Sequence, residues 1–132
     1  MIKAFLICDS NGIPFYSKIF DSRIDYEPSI FSGLISAIST IGKTIFKEEL
    51  ATINFGIKSN ATIIILYRDF YGIEKKIIFV FLAEGTIDHN KIRQFTSHIL
   101  IETKVYLKNF DHKLNNGFEK KIEKIIDSTN FD

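Results

Sequence analysis

The chain has no tryptophan, one cysteine, two prolines and one methionine, which is its first residue. A lone cysteine excludes an internal disulfide, so packing must hold the fold. Cys8 follows Leu6 and Ile7, which reads as a buried thiol behaving as a small hydrophobe. A chain of this kind is expected in the reducing cytoplasm, reaching membranes only through partners. The N-terminal apolar run Ile2–Cys8 stops at Asp9, without the pattern of a secretory signal. Asn60-Ala61-Thr62 matches a glycosylation sequon, but without a secretory route it carries no meaning. No apolar run approaches the length of a membrane span, so no stable membrane insertion is expected. Neither charge sign is in excess: Lys+Arg 17 against Asp+Glu 16, net +1. That balance lacks the basic field of a nucleic-acid binder. Low-complexity stretches, repeats and long linkers are also missing, so the sequence reads as one domain, 1–132.

What is present is core material. Apolar residues make up 45%, with 13 phenylalanines among them. Residues 2–8 form a short apolar run suited to a strand covered on both faces. Asp9-Ser10-Asn11-Gly12 supplies the positive φ of a tight hairpin, and residues 14–20 make the second strand. Pro28 fits a first helical position. Ile30, Phe31, Leu34, Ile38, Ile41 and Ile45 follow at helical spacing and predict a helix over 28–47. Three strands are predicted next, at 50–57, 62–69 and 76–83, with turns at 58–60 and 69–72. Asp88 caps a second helix whose stripe runs Ile92, Phe95, Ile99, Tyr106 and Phe110. Asn115-Asn116-Gly117 breaks the pattern. Phe118, Ile122, Ile125 and Ile126 then make a last amphipathic helix. The fold class is α+β, order ββαβββαα, with one helix on one sheet face and two on the other.

Catalytic motifs do not survive their context. Ala37–Thr44, ending Gly42-Lys43-Thr44, fits a relaxed phosphate-loop pattern with Ala for the first Gly. That loop needs backbone N–H groups between a strand and a helix, and here the segment lies inside a periodic helix. His89, His98 and His112 do not pair with another ligand in a zinc pattern and read as surface residues. Cys8 lacks the exposed, electropositive setting of a nucleophile. Glu48-Glu49 reads as a solvated helix end, and Asp9 as a turn-former. No enzyme activity, cofactor or metal is expected.

One surface stands out. On a helical wheel the apolar stripe of the first helix centres on Leu34, Ile38 and Ile45. The opposite side holds Ser29, Ser32, Gly33, Ser36, Thr40, Lys43 and Lys47. Read with the apolar stripe toward the sheet, the small residues face outward as a partner-docking face, since another backbone can approach them closely. The alternative is a bland surface, or one covered by residues 21–27. On the second helix Ile101 and Val105 leave the stripe. They are exposed anchors or lie under the last helix, the second being favoured. The sheet's edge strands offer docking by strand addition.

The order of elements, the opening Ile2–Cys8 strand, the Asp9–Gly12 hairpin leading into Ile13-Pro14-Phe15-Tyr16-Ser17, and the Ser- and Ile-rich Pro28–Lys47 helix together resemble the longin domain, as found in stand-alone longin-like proteins of archaea. Roadblock domains are related but open with a helix. The resemblance implies a five-stranded antiparallel sheet and a non-enzymatic protein-interaction role in small-GTPase regulation or vesicle-trafficking-like complexes. The implied partners are a small GTPase or another longin or roadblock domain, in a homodimer or heterodimer. No coiled-coil segment follows residue 132, so fusion as a SNARE is not expected. The second reading is a small-molecule sensor of PAS- or profilin-like architecture, which predicts a pocket under the first helix. Tight filling by Ile and Phe opposes it.

Overall fold

The computed structural model describes residues 1–49, 51–56, 60–69, 76–104, 106 and 116–129. Strands β1 (Ile2–Asp9) and β2 (Pro14–Ile19) form a hairpin. Helix α1 (Pro28–Ile45) crosses to β3 (Thr52–Phe55), β4 (Ala61–Asp69) and β5 (Lys76–Ala83). Helices α2 (His89–Glu102) and α3 (Asn116–Ser128) follow. The five strands lie in the order β2-β1-β5-β4-β3 with every pairing antiparallel. The order ββαβββαα therefore stands. Pro14 pairs with Cys8 on the edge strand, where a missing N–H costs no ladder bond. The third strand is shorter than the expected 50–57, and the last helix starts at Asn116 inside the expected break. Expectations for Leu50 and Ile57, for turn residues 58–59 and 70–72, for the side chain of Val105, and for Phe110, His112 and Asn115 lie outside the described residues.

Successive strand residues point to opposite faces, and this alternation splits the core in two. On one face Phe5, Ile7, Ile64, Phe79 and Phe81 meet Ile92, Phe95 and Ile99 of α2 and Phe118, Ile122, Ile125 and Ile126 of α3. Phe5 anchors this layer, with its ring centroid 5.0 Å from Phe81 and 5.3 Å from Phe95. Asp88 starts α2 as expected, its Oδ1 accepting from the N–H groups of Asn90 and Lys91. On the other face Leu6, Cys8, Ile63, Ile65, Ile78 and Val80 meet α1 through a single buried aliphatic side chain, Ile35.

The orientation of α1 reverses the sequence reading. Its buried residues are Ser32, Ile35 and Ser39, whereas Ile30, Leu34, Ile41 and Ile45 are 74%, 55%, 55% and 65% exposed. The two stripes are those of the wheel, but the serine side faces the sheet. The reason lies in the hairpin. The Ser32 hydroxyl donates to the Gly12 carbonyl at 2.5 Å, and the Ser36 hydroxyl to the Ser10 carbonyl at 2.9 Å. Ser39 Oγ shares a hydrogen bond with Tyr67 Oη at 2.8 Å. The backbones are close: a Cβ added to Gly12, whose φ is +82°, would stand 3.0 Å from Gly33 Cα. An isoleucine face could neither come this near nor satisfy these carbonyls.

Neighbouring residues on α1 thus have opposite roles, and their truncation separates the two orientations. Ile35→Ala is expected to destabilise by about 2–5 kcal/mol. Leu34→Ala should change stability by less than about 1 kcal/mol. Denaturant unfolding of the two variants, each measured in the monomeric state, reads this directly. Equal losses, or a larger loss for Leu34→Ala, would contradict the serine-inward packing.

Candidate functional site

The outer side of α1 carries an exposed apolar stripe. Ile30, Leu34, Ile41 and Ile45 recur at helical spacing on one side, with Ala37 exposed between them. Phe46 extends the stripe past the helix end at 71% exposure, its N–H held by the Gly42 carbonyl. Together these side chains present on the order of 600 Å² of apolar surface, at the top of the range for single patches on monomers. Ser29, Gly33 and Thr40 line one flank and are exposed. The Thr40 hydroxyl turns back to the Ser36 carbonyl at 2.9 Å. Lys43 is exposed on the same flank and lies with Nζ 5.5 Å from the centre of the Tyr67 ring.

Of the residues expected to form a docking face, Ser32 is fully buried and Ser36 half-buried, both bonded to the hairpin. These two are withdrawn from that role, because their hydroxyls already complete the β1–β2 turn. Ser29, Gly33, Thr40 and Lys43 remain at the surface, beside the stripe rather than as its centre. Helical periodicity places these exposed isoleucines in the core. The missed signal was the run Ser29, Ser32, Ser36, Ser39 at three- and four-residue spacing, a row of hydroxyls suited to hairpin carbonyls. Ile101 is 72% exposed and not covered by α3.

Other candidates resolve into structural roles. Ala37–Thr44 is continuous helix, and no strand runs directly into it. Asp9 is buried, and its Oδ1 accepts from the N–H groups of Asn11 and Ile13, which fixes the hairpin. Glu49 pairs with Lys76 at 2.7 Å, leaving Glu48 in solvent, so the two carboxylates do not act together. His98 departs from the expectation of no pairing: its Nε2 lies 3.9 Å from Glu102 Oε1, one turn on, with both side chains about half exposed. Among the described residues no three His, Cys, Asp or Glu side chains assemble as metal ligands.

Lys3 joins Asp21 at 2.9 Å and Glu84 at 3.4 Å, and Arg23 grips Asp21 at 2.7 Å. The Arg23 and Lys3 bonds hold the Asp21 carboxyl well below the usual carboxylate range. This clasp ties residues 21–23 to the ends of β1 and β5. Beside it a mostly apolar groove of about 260 Å³ opens under the N-terminal end of α1, walled by Ile24, Phe31, Phe55, Ile63 and Leu82. Tight filling was expected there, and the packing falls short of it. No helix among the described residues is long and apolar enough to cross a membrane. A scan against protein-family models finds no match, and neither does a search of curated proteins.

Burial pushes the Cys8 thiol up to about 12, aided by Asp9 beside it. Burial likewise raises the Tyr16 phenol to about 12, with Glu123, Glu119 and Asp127 adding to it. Both groups ionise more readily in the unfolded chain. The stability they contribute is therefore intact at neutral pH and is lost as pH rises past their unfolded values toward 12. Urea unfolding across that alkaline range should show a steady decline, shallower in Cys8→Ala. A flat profile in both proteins would contradict this burial.

Proposed function

We propose that the chain is a non-enzymatic protein-interaction module of the longin type. It acts as an adaptor or subunit in complexes that regulate small GTPases or serve vesicle-trafficking-like transport, and it docks another longin or roadblock domain through the outer face of α1. The observation that carries this reading is the exposed stripe Ile30–Leu34–Ile41–Ile45 with Phe46. Leaving such a surface in water is unfavourable, and contiguous apolar patches of this size mark interaction sites. The ββαβββαα order supports the longin resemblance.

A second reading, small-molecule sensing, draws on the groove under the N-terminal end of α1. At about 260 Å³ it falls below the roughly 300–1,000 Å³ of ligand pockets. A ligand screen by thermal shift tests it, and a specific stabilisation abolished by Phe31→Ala would favour it over docking.

The docking reading is tested with a Leu34→Glu/Ile41→Glu double variant, whose positions lie outside the core. Its circular dichroism should match the parent. Interferometry against the small GTPases, longin domains and roadblock domains of the same genome should give a complex with the parent. The variant should weaken binding to the domain that covers α1 by at least about tenfold, about 1.4 kcal/mol. Parent protein that binds none of them, or a variant that binds as the parent does, would contradict the proposal.

A further inference from the structure

A cleft of about 440 Å³ opens where the edge strand β2 meets α3, lined by Phe15, Tyr16 and Lys18 on one side and Glu119 and Glu123 on the other. That volume falls within the roughly 300–1,000 Å³ of ligand pockets. None of the apolar stripe residues of α1 lines it. Its acidic wall follows from the sequence. Phe118, Ile122, Ile125 and Ile126 bury one side of α3. At helical spacing Glu119, Glu123 and Asp127 then fall on one flank, and Lys121 and Lys124 on the other. The acidic flank is the one turned to β2, since Glu119 and Glu123 line the cleft and no lysine of α3 does. Both glutamates are exposed, and among the described residues neither is ion-paired. Lys18 forms no ion pair with either of them, so the cleft keeps an excess of negative charge.

Tyr16 adds a group that calls for a ligand. The residue is 8% exposed, yet its Oη has no hydrogen-bond partner. Buried hydroxyls in native proteins are nearly always bonded. The charges of Glu123 and Glu119 act on this phenol, which places Oη on the α3 side of the cleft. Phe5 packs against the ring, with centroids 6.0 Å apart. Two carboxylates one helical turn apart, an unsatisfied phenol oxygen and the half-buried Phe15 ring suit a cation that carries several N–H donors on an apolar stem. We infer that this cleft binds an organic cation, a guanidinium or alkylammonium group, with Glu119, Glu123 and Tyr16 Oη accepting its hydrogen bonds and Phe15 flanking its stem. A hard metal ion fits less well. Calcium takes six to eight oxygens, and among the described residues no three His, Cys, Asp or Glu side chains assemble as ligands.

Agmatine carries one ammonium and one guanidinium and serves as the probe. Titrated into the ¹⁵N-labelled chain at low salt, it should shift the amides of residues 15–18 and 119–123 saturably. The Glu119→Gln/Glu123→Gln variant should keep its circular dichroism and lose at least about tenfold in affinity. Glu48→Gln, which removes a solvent-exposed carboxylate elsewhere, should bind as the parent does. Tyr16→Phe separates a ligand-facing phenol from a structural one. Its urea midpoint should equal or exceed the parent's, because no hydrogen bond is lost, while agmatine affinity falls by about threefold or more. A blocked Gly-Arg-Gly peptide tells the sources of the cation apart. Tighter binding than agmatine supports the arginine of a partner chain, and weaker binding supports a free amine. No saturable shift with either probe, binding that survives the double glutamate variant, or an equal loss in Glu48→Gln would overturn the proposal. So would a Tyr16→Phe protein that is less stable than the parent and binds agmatine as well.

Discussion

The hydrogen bond from Ser32 to the Gly12 carbonyl sets the rotation of α1, and the character of the surface follows from it. Alone such a bond contributes about 0.5–1.5 kcal/mol. Its leverage comes from position: Ser32 is buried, Gly12 turns the β1–β2 hairpin at φ +82°, and the two backbones nearly touch. Ser36 and Ser39 add further hydroxyl contacts along the same side. Once that side is seated, Ile35 is the one fully buried apolar side chain that α1 gives to the aliphatic layer, with Phe31 packed at its margin. Ile30, Leu34, Ile41 and Ile45 have nowhere to go but outward.

The two sheet faces therefore differ in kind. One carries a stacked and edge-on aromatic cluster, Phe5, Phe79, Phe81 and Phe95, sealed by α2 and α3. The other is a thin aliphatic layer under α1. The first face holds the larger buried apolar layer, while α1 over the second leaves its isoleucines in water. The edge strands suit the same division. β3 has four residues and β2 carries Pro14, and both features limit uncontrolled strand addition.

The order of elements was legible because each strand announces itself locally. Ile63-Ile64-Ile65 and Ile77-Ile78-Phe79-Val80 are apolar on both faces, Pro28 and Asp88 mark helix starts, and Asp9 and Gly12 mark the hairpin. The wheel of α1 was also legible as two stripes. Which stripe faces inward was not, because that choice belongs to the partner surface and not to the helix. Periodicity registers Leu34 and Ile45 as apolar, and burial is the usual fate of such residues. The competing fact was tertiary: the hairpin carbonyls of Ser10 and Gly12 needed donors, and only the serine side could supply them at close range. The outward side of α1 was therefore expected to be the serine side, and the structure turns the isoleucine side outward. The groove at Phe31 and Phe55 was equally hidden, since residues so distant in sequence meet only in the folded chain.

The central claim is that α1 sits with its serines on the sheet and its isoleucines outward. Methyl-to-methyl nuclear Overhauser contacts in isoleucine-, leucine- and valine-labelled protein measure this most directly. The account predicts contacts from the Ile35 methyls to Leu6 and Val80, and none from Leu34 or Ile41 to any methyl of the sheet. Contacts from Leu34 to Val80, with Ile35 showing none, would contradict it.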